Sequence, residues 1–265
     1  MKMKNCKAYT YVIFLNLIFI LTPFVSAHSL EDAIKSTDRS AKNVARDQYR
    51  NPYETLSFFG IKKEMSVVEL SPGGGWYTEI LANYIHSPGK LIAAHFDRDS
   101  KRDFYIRMRN NFEDKINKNP MYKDVSVVDL SSKLADPGSI DAVLTFRNLH
   151  NWIGPQIDII FANSHKALKK GGVLGIVEHR ADPGTSLEEM KKTGYVTEEY
   201  AIETAKKHGF MLVAKSEINA NPKDTKNYTR GVWTLPPVLR LKEQDKETYL
   251  NIGESDRMTL LFKKL

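Results

Sequence analysis

The chain has 265 residues, 42% of them hydrophobic, and a formal net charge of +7, which is enough material for a sizeable core. Its Lys/Arg residues are dispersed, with lysine pairs at 62–63, 169–170, 191–192, 206–207 and 263–264, so no nucleic-acid footprint is expected. The one cysteine, Cys6, lies near the start, which excludes disulfides from the rest of the chain.

The N-terminus reads as an export signal. Lys2, Lys4 and Lys7 precede an apolar run from Tyr11 to Leu21, Pro23 breaks it, and Val25-Ser26-Ala27 supplies small residues for cleavage. A spanning helix needs about 20 apolar residues, so cleavage after Ala27 is expected rather than stable membrane insertion. The product is a periplasmic or secreted protein of one domain, residues 28–265. Three lysines and no acids leave with residues 1–27, lowering the net charge to +4.

Two helical patterns come next, at 30–49 and 52–59. Short β-branched runs then alternate with longer helical ones. Strands are expected at 66–70, 90–95, 125–129, 142–146, 173–178, 211–218 and 258–262, with helices at 76–85, 98–118, 156–168 and 198–208. Pro155 marks a helix start, Gly171-Gly172 and Gly209 mark helix ends, and Thr197 reads as an N-cap. Strands apolar on both faces, joined through helices, argue a doubly wound, mostly parallel α/β sheet. About forty residues, 219–257, separate the last two strands; Trp233, Pro236-Pro237 and a helical pattern at 242–250 favour an ordered cap there.

The densest stretch is "VVELSPGGGWYTEILA", Val67–Ala82. A strand ends, three glycines follow, and a helix starts near Trp76. Glycines let a ligand approach the main chain, and the helix start aims its N–H groups the same way. The dinucleotide fingerprint needs a further glycine where Thr78 stands, which counts against a nicotinamide dehydrogenase.

The stretch resembles motif I of class I S-adenosylmethionine-dependent methyltransferases, read as Glu69-Leu70-Ser71-Pro72-Gly73-Gly74-Gly75, with Ser71 in place of the first glycine and tightening the turn. "IDAVLTFRNLHNW" resembles motif IV, and "LKKGGVLGIVEH" the fifth strand. "ARDQYRNPYETLSFFGI", "SEINANPKDTKNY", "GVWTLPP" and "IGESDRMTL" add similarity to a group of exported bacterial predicted methyltransferases. The resemblance implies a Rossmann-like, seven-stranded fold and S-adenosyl-L-methionine as cofactor. On the same footing, Glu69, Ser71, Gly73, Gly74, Gly75 and Phe146 belong to the cofactor site. It also implies an acid after the second strand for the ribose; His95 aligns there, and Asp97, two residues on, is the expected ligand, with helix capping its alternative. Asp129 is expected at the adenine amino group, with a turn residue its alternative.

Methyl transfer needs alignment of the acceptor and, for a hydroxyl, a base. His150 is the expected base, with a packing histidine the alternative, and Arg147 and Asn148 are expected to fix substrate or cofactor. Arg46, Asp47 and Arg50 are expected to close over the cofactor. Tyr195, Arg230, Trp233, Asp256 and Arg257 are candidates for the substrate side. His95, His150 and His179 fall at strand ends, but their spacing forms no metal motif, and no metal is expected. The partner is a small-molecule acceptor. The competing reading is a non-catalytic exported binding protein on the same scaffold.

Overall fold

The computed structural model describes residues 29–265; the signal-peptide expectation for 1–27 lies outside them. No helix among the described residues is long and apolar enough to cross a membrane.

Seven strands form one sheet: β1 (Ser66–Leu70), β2 (Lys90–His95), β3 (Val125–Asp129), β4 (Ile140–Phe146), β5 (Leu168–His179), β6 (Phe210–Ser216) and β7 (Arg257–Lys264). Their order is β3-β2-β1-β4-β5-β7-β6. The first five pair in parallel, and β7 runs antiparallel to both β5 and β6. Alternating residues of one strand feed opposite cores, which is why the central strands β1 and β4 are buried on both faces. Val68 and Val143 pack on the face covered by helices Pro155–Ala167 and Glu198–Lys207. Val67 and Leu144 pack on the face covered by Pro52–Phe58 and Trp76–Tyr84.

Three differences from the sequence expectation stand out. The pattern at 30–49 is broken into Leu30–Ile34, Ala41–Val44 and Asp47–Arg50. Arg39, 4% exposed, makes the break by forking onto Asp47 at 2.7 Å through both terminal nitrogens while donating to Ile34 O. The helix expected from 98 starts at Asp103. Gly171-Gly172 lie within β5, which reaches back to Leu168 by pairing with Ile140.

Residues 219–257 carry a short 3-10 turn, Gly231–Thr234, and a helix, Lys246–Ile252. Asp224 pins the segment by accepting from the Tyr195 hydroxyl at 2.9 Å and from Asp256 N at 2.7 Å. Gly231, at φ +52°, approaches so closely that an added Cβ would stand 2.0 Å from Thr193 O. Val232 packs there against Ala181 and Tyr195.

The chain reverses direction of progression between β1 and β4. That is the switch point of a doubly wound sheet, where ligands bind beyond the carboxyl ends of the strands.

Candidate functional site

Beyond the ends of β1 and β4 lies a cavity of about 630 Å³, walled by Ser71, Gly73, Gly74, Phe146, Arg147 and Asn148, with Arg46 and Arg50 from the N-terminal helices. A larger cavity, about 750 Å³, sits at the opposite end of the strands; the glycine turn and the strand-end polar groups are not there, so the chemistry points to the smaller one.

The three glycines do different things. Gly75, at φ +78°, caps the helix Trp76–Tyr84, and a Cβ on it would meet Phe112 at 3.0 Å; this glycine serves packing. Gly73 (φ +59°) and Gly74 would project a Cβ into open space. The surrendered side chains therefore expose main chain to the cavity. The loop is held from behind, its Gly73 carbonyl facing His95 Nε2 at 3.1 Å and its Gly74 carbonyl accepting from Lys115 Nζ at 2.9 Å. Burial pushes the His95 imidazole down to about 4, so it holds the loop as a neutral ring.

Ser71 does more than tighten the turn. It adopts φ +49°, a left-handed conformation that costs about 1–2 kcal/mol for a residue with a Cβ. Its Oγ is buried with no hydrogen-bond partner. Glu69 is buried behind the loop, off the cavity wall, and accepts from Thr78 Oγ1 at 2.6 Å. Burial raises its carboxyl to about 7, against the opposing pull of Thr78 and Lys115.

The two expected acids are both engaged by the chain. Asp97 accepts from Ser131 N at 3.0 Å and from the Ser131 hydroxyl. Asp129 accepts from Arg109 Nη1 at 2.9 Å. Each carboxylate retains unused lone pairs. Asn148 is turned inward, its amide within 3.3 Å of the Leu70 and Ser71 carbonyls, where it ties the β4 end to the β1 end. Phe146 stacks on Tyr77 at 3.5 Å.

Arginines dominate the cavity floor. Glu254 receives Arg46 Nε at 2.7 Å, Arg50 Nε at 3.1 Å and Arg257 Nη1 at 3.2 Å, with Arg147 4.0 Å away. Four guanidiniums thus share one carboxylate, itself 2% exposed. Burial and then Arg147 push the Arg50 guanidinium well below its usual range, Glu254 only partly opposing. Arg50 Nη2 is buried without a partner. Uncompensated buried charge is costly, and this floor carries more guanidinium than its one carboxylate neutralises. Arg147 adopts φ +63° and stands between this cavity and a second one. Backbone strain of this kind concentrates at functional sites.

The second cavity, about 620 Å³, lies under the 219–257 segment against Trp233, His150 and His179. His150 Nδ1 is 3.0 Å from Glu178 Oε1, and Glu178 also accepts from Leu149 N and His179 N. Glu178 is fully buried. With its carboxylate accepting, the Nδ1–H tautomer of His150 is assigned and Nε2 is left as the acceptor. His179 is bonded through Nδ1 to Ser255 Oγ, and burial first, then His150, drive its imidazole well below the usual range. His150, Glu178 and His179 offer three ligand-type atoms within 4.8 Å of one another, whereas His95 lies apart at the glycine turn. The hydrogen bonds just described account for the Glu178 carboxylate oxygens.

Of the substrate-side candidates, Trp233 lines the second cavity. Tyr195, Asp256 and Arg257 are used in bonds to Asp224, Arg180 and Glu254. Arg46 and Arg50 line the first cavity as expected, while Asp47 is held by Arg39. Glu178 and Glu254 were not singled out from the sequence; the only local signal is an acid at, or just before, a strand end.

The architecture is the class I methyltransferase fold, Rossmann-like with a mostly parallel seven-stranded sheet. A methyltransferase from Aquifex aeolicus, described as SAM dependent, superposes with a TM-score of 0.57 at 16% identity, covering 90% of this chain and all of that one. A geranyl diphosphate C-methyltransferase from Streptomyces coelicolor A3(2), solved with Mg2+, geranyl diphosphate and S-adenosyl-L-homocysteine, gives 0.58 at 11% identity over 88% of this chain and 89% of its own. The [4+2]-cyclase SpnF gives 0.58 at 13% over 89% and 92%. These likenesses are of fold. No protein-family model matches the sequence, and neither does any curated protein.

Proposed function

We propose that this protein is an S-adenosylmethionine-dependent methyltransferase acting on a small-molecule acceptor. The observation that carries the reading is the first cavity: an open Gly73–Gly74 main-chain face opposite an arginine floor in cationic excess, at the switch point of this fold. S-adenosylmethionine supplies, when bound, a methyl group activated on a sulfonium. Every other requirement falls to the chain. Gly73 and Gly74 admit the ligand to main-chain contact. Arg46 and Arg50 bind its carboxylate, Arg50 through the Nη2 that lacks a partner. Asp97 receives a ribose hydroxyl on its remaining lone pairs, and Asp129 an adenine amino group.

His150, fixed by Glu178, faces the second cavity and takes the acceptor's proton on Nε2. Arg147, shared by both cavities, aligns the two ligands. That the fold neighbours include a geranyl diphosphate and a putative sarcosine dimethylglycine methyltransferase supports a small acceptor. We further propose export, with a mature N-terminus at His28.

Titration calorimetry with S-adenosylmethionine tests the reading. Saturable binding of S-adenosylmethionine, with NADH inert, supports it; no heat and no thermal shift at millimolar ligand sinks it.

A further inference from the structure

We propose that the methyl acceptor is an anionic hydroxyaromatic compound, a phenol bearing a carboxylate, held in the second cavity, which His150 and Trp233 help to wall. The inference rests on the methyl-transfer reading and adds the acceptor's chemical class.

Charge is the first argument. Among the described residues, the permanently charged ones lining this cavity are Arg102, Arg147 and Arg240, and neither Asp nor Glu is among its walls. Arg102 and Arg240 are not spent on carboxylates: neither makes an ion pair with one among the described residues. Arg102 lies 5.2 Å from the Tyr105 ring centre and donates to its hydroxyl at 2.9 Å, while Arg240 lies 5.1 Å from the Trp233 ring. A guanidinium laid on an aromatic face keeps edge N–H groups for a planar, bidentate anion such as carboxylate. A one-signed cleft also concentrates anions and repels cations.

Shape is the second. Phe96 and Tyr105 stack in parallel at 4.0 Å, Trp233 meets His150 edge-on at 5.9 Å, and all four rings are among the walls. Aromatic walls of this kind favour a flat ring by offset stacking. At about 620 Å³ the cavity falls within the range of small-ligand sites.

Proton affinity is the third. An imidazole matches a phenol, whose ordinary pKa is about 10, far better than an aliphatic alcohol. The phenolic proton moves to His150 Nε2. The phenolic oxygen bonds to the methyl carbon as the carbon–sulfur bond breaks, and that electron pair leaves with sulfur. The products are the methyl ether, S-adenosylhomocysteine and one proton on His150.

Three matched phenols test this: 4-hydroxybenzoate, its uncharged methyl ester, and cationic tyramine, each with S-adenosylmethionine and the full chain. The expected order of kcat/KM is acid, ester, amine, with the acid ahead of the ester by about tenfold. Arg102→Gln and Arg240→Gln, both at exposed positions, are expected to keep the melting temperature, lower the acid's kcat/KM and bring the acid-to-ester ratio toward one, while Arg240→Lys preserves it in part. A preference for ester or amine, a ratio unmoved by both variants, or no transfer to any of the three while S-adenosylmethionine still binds overturns the acceptor class alone. Absence of S-adenosylmethionine binding overturns the methyl-transfer reading beneath it.

Discussion

Glu254 holds a position that makes its removal expensive. Burial alone would raise its carboxyl, but Arg50, Arg257, Arg147 and Arg46 outweigh burial and hold it at about 2. The ordinary value is 4.5, so this stabilisation is complete above that pH and is lost as pH falls toward 2. Breaking a buried ion pair costs about 3–5 kcal/mol. Glu254→Gln is expected to lower unfolding stability by about that much at pH 7, with the gap to the unmodified protein closing below pH 4.5, as denaturant titrations across pH would show. His95 adds to the acid weakness, because a ring held near 4 must take up a proton as pH falls from 6.5. Under the proposed function Glu178 is a positioning residue for His150. Glu178→Gln is expected to reduce kcat by roughly a hundredfold or more and shift the pH profile of kcat, with S-adenosylmethionine affinity unchanged. An unaltered pH profile would assign Glu178 to folding alone.

At the scale of the element, the Ser71–Gly75 turn separates a packing glycine, Gly75, from the cavity-facing Gly73 and Gly74. Gly74 lacks positive φ and has open space at its Cβ position. Gly74→Leu is therefore expected to leave the melting temperature nearly unchanged while abolishing adenosyl-ligand binding by calorimetry. A destabilised but binding-competent variant would contradict the cradle. β1, β2 and β3 were legible to the residue because they are short, apolar and bounded by turn residues. The early part of β5 was not, because Lys169 to Gly172 carry no strand pattern and are recruited by long-range pairing near Ile140. The helix expected across 30–49 failed for a similar reason: the Arg39–Asp47 fork and Ser40, which no periodicity reports, cut it into short turns.

Across the whole molecule, the glycine loop, the arginines and His150 could be read locally, whereas the acids that hold them, Glu178 and Glu254, could not. Glu178 meets His150 across 28 residues, and Glu254 meets Arg50 across 204; only folding brings such pairs together, so spacing in the chain cannot reveal them. The same holds for Asp97 and Asp129, whose partners Ser131 and Arg109 lie in the turn after β3 and in the helix Asp103–Lys118. The two cavities meet at Arg147 and Pro237, at the end of β4; under the proposed function one is the donor side and the other the acceptor side. Mass spectrometry of the exported protein is expected to find His28 as the first residue; retention of Met1 in the envelope would refute cleavage.

The most direct measurement is a crystal structure with S-adenosylhomocysteine. The ligand carboxylate is expected within hydrogen-bond distance of Arg50 Nη2, its chain along Gly73 and Gly74, and its sulfur toward Arg147 and His150. A ligand bound elsewhere, or a Gly73–Gly74 face that closes and admits none at saturating concentration, would contradict the account.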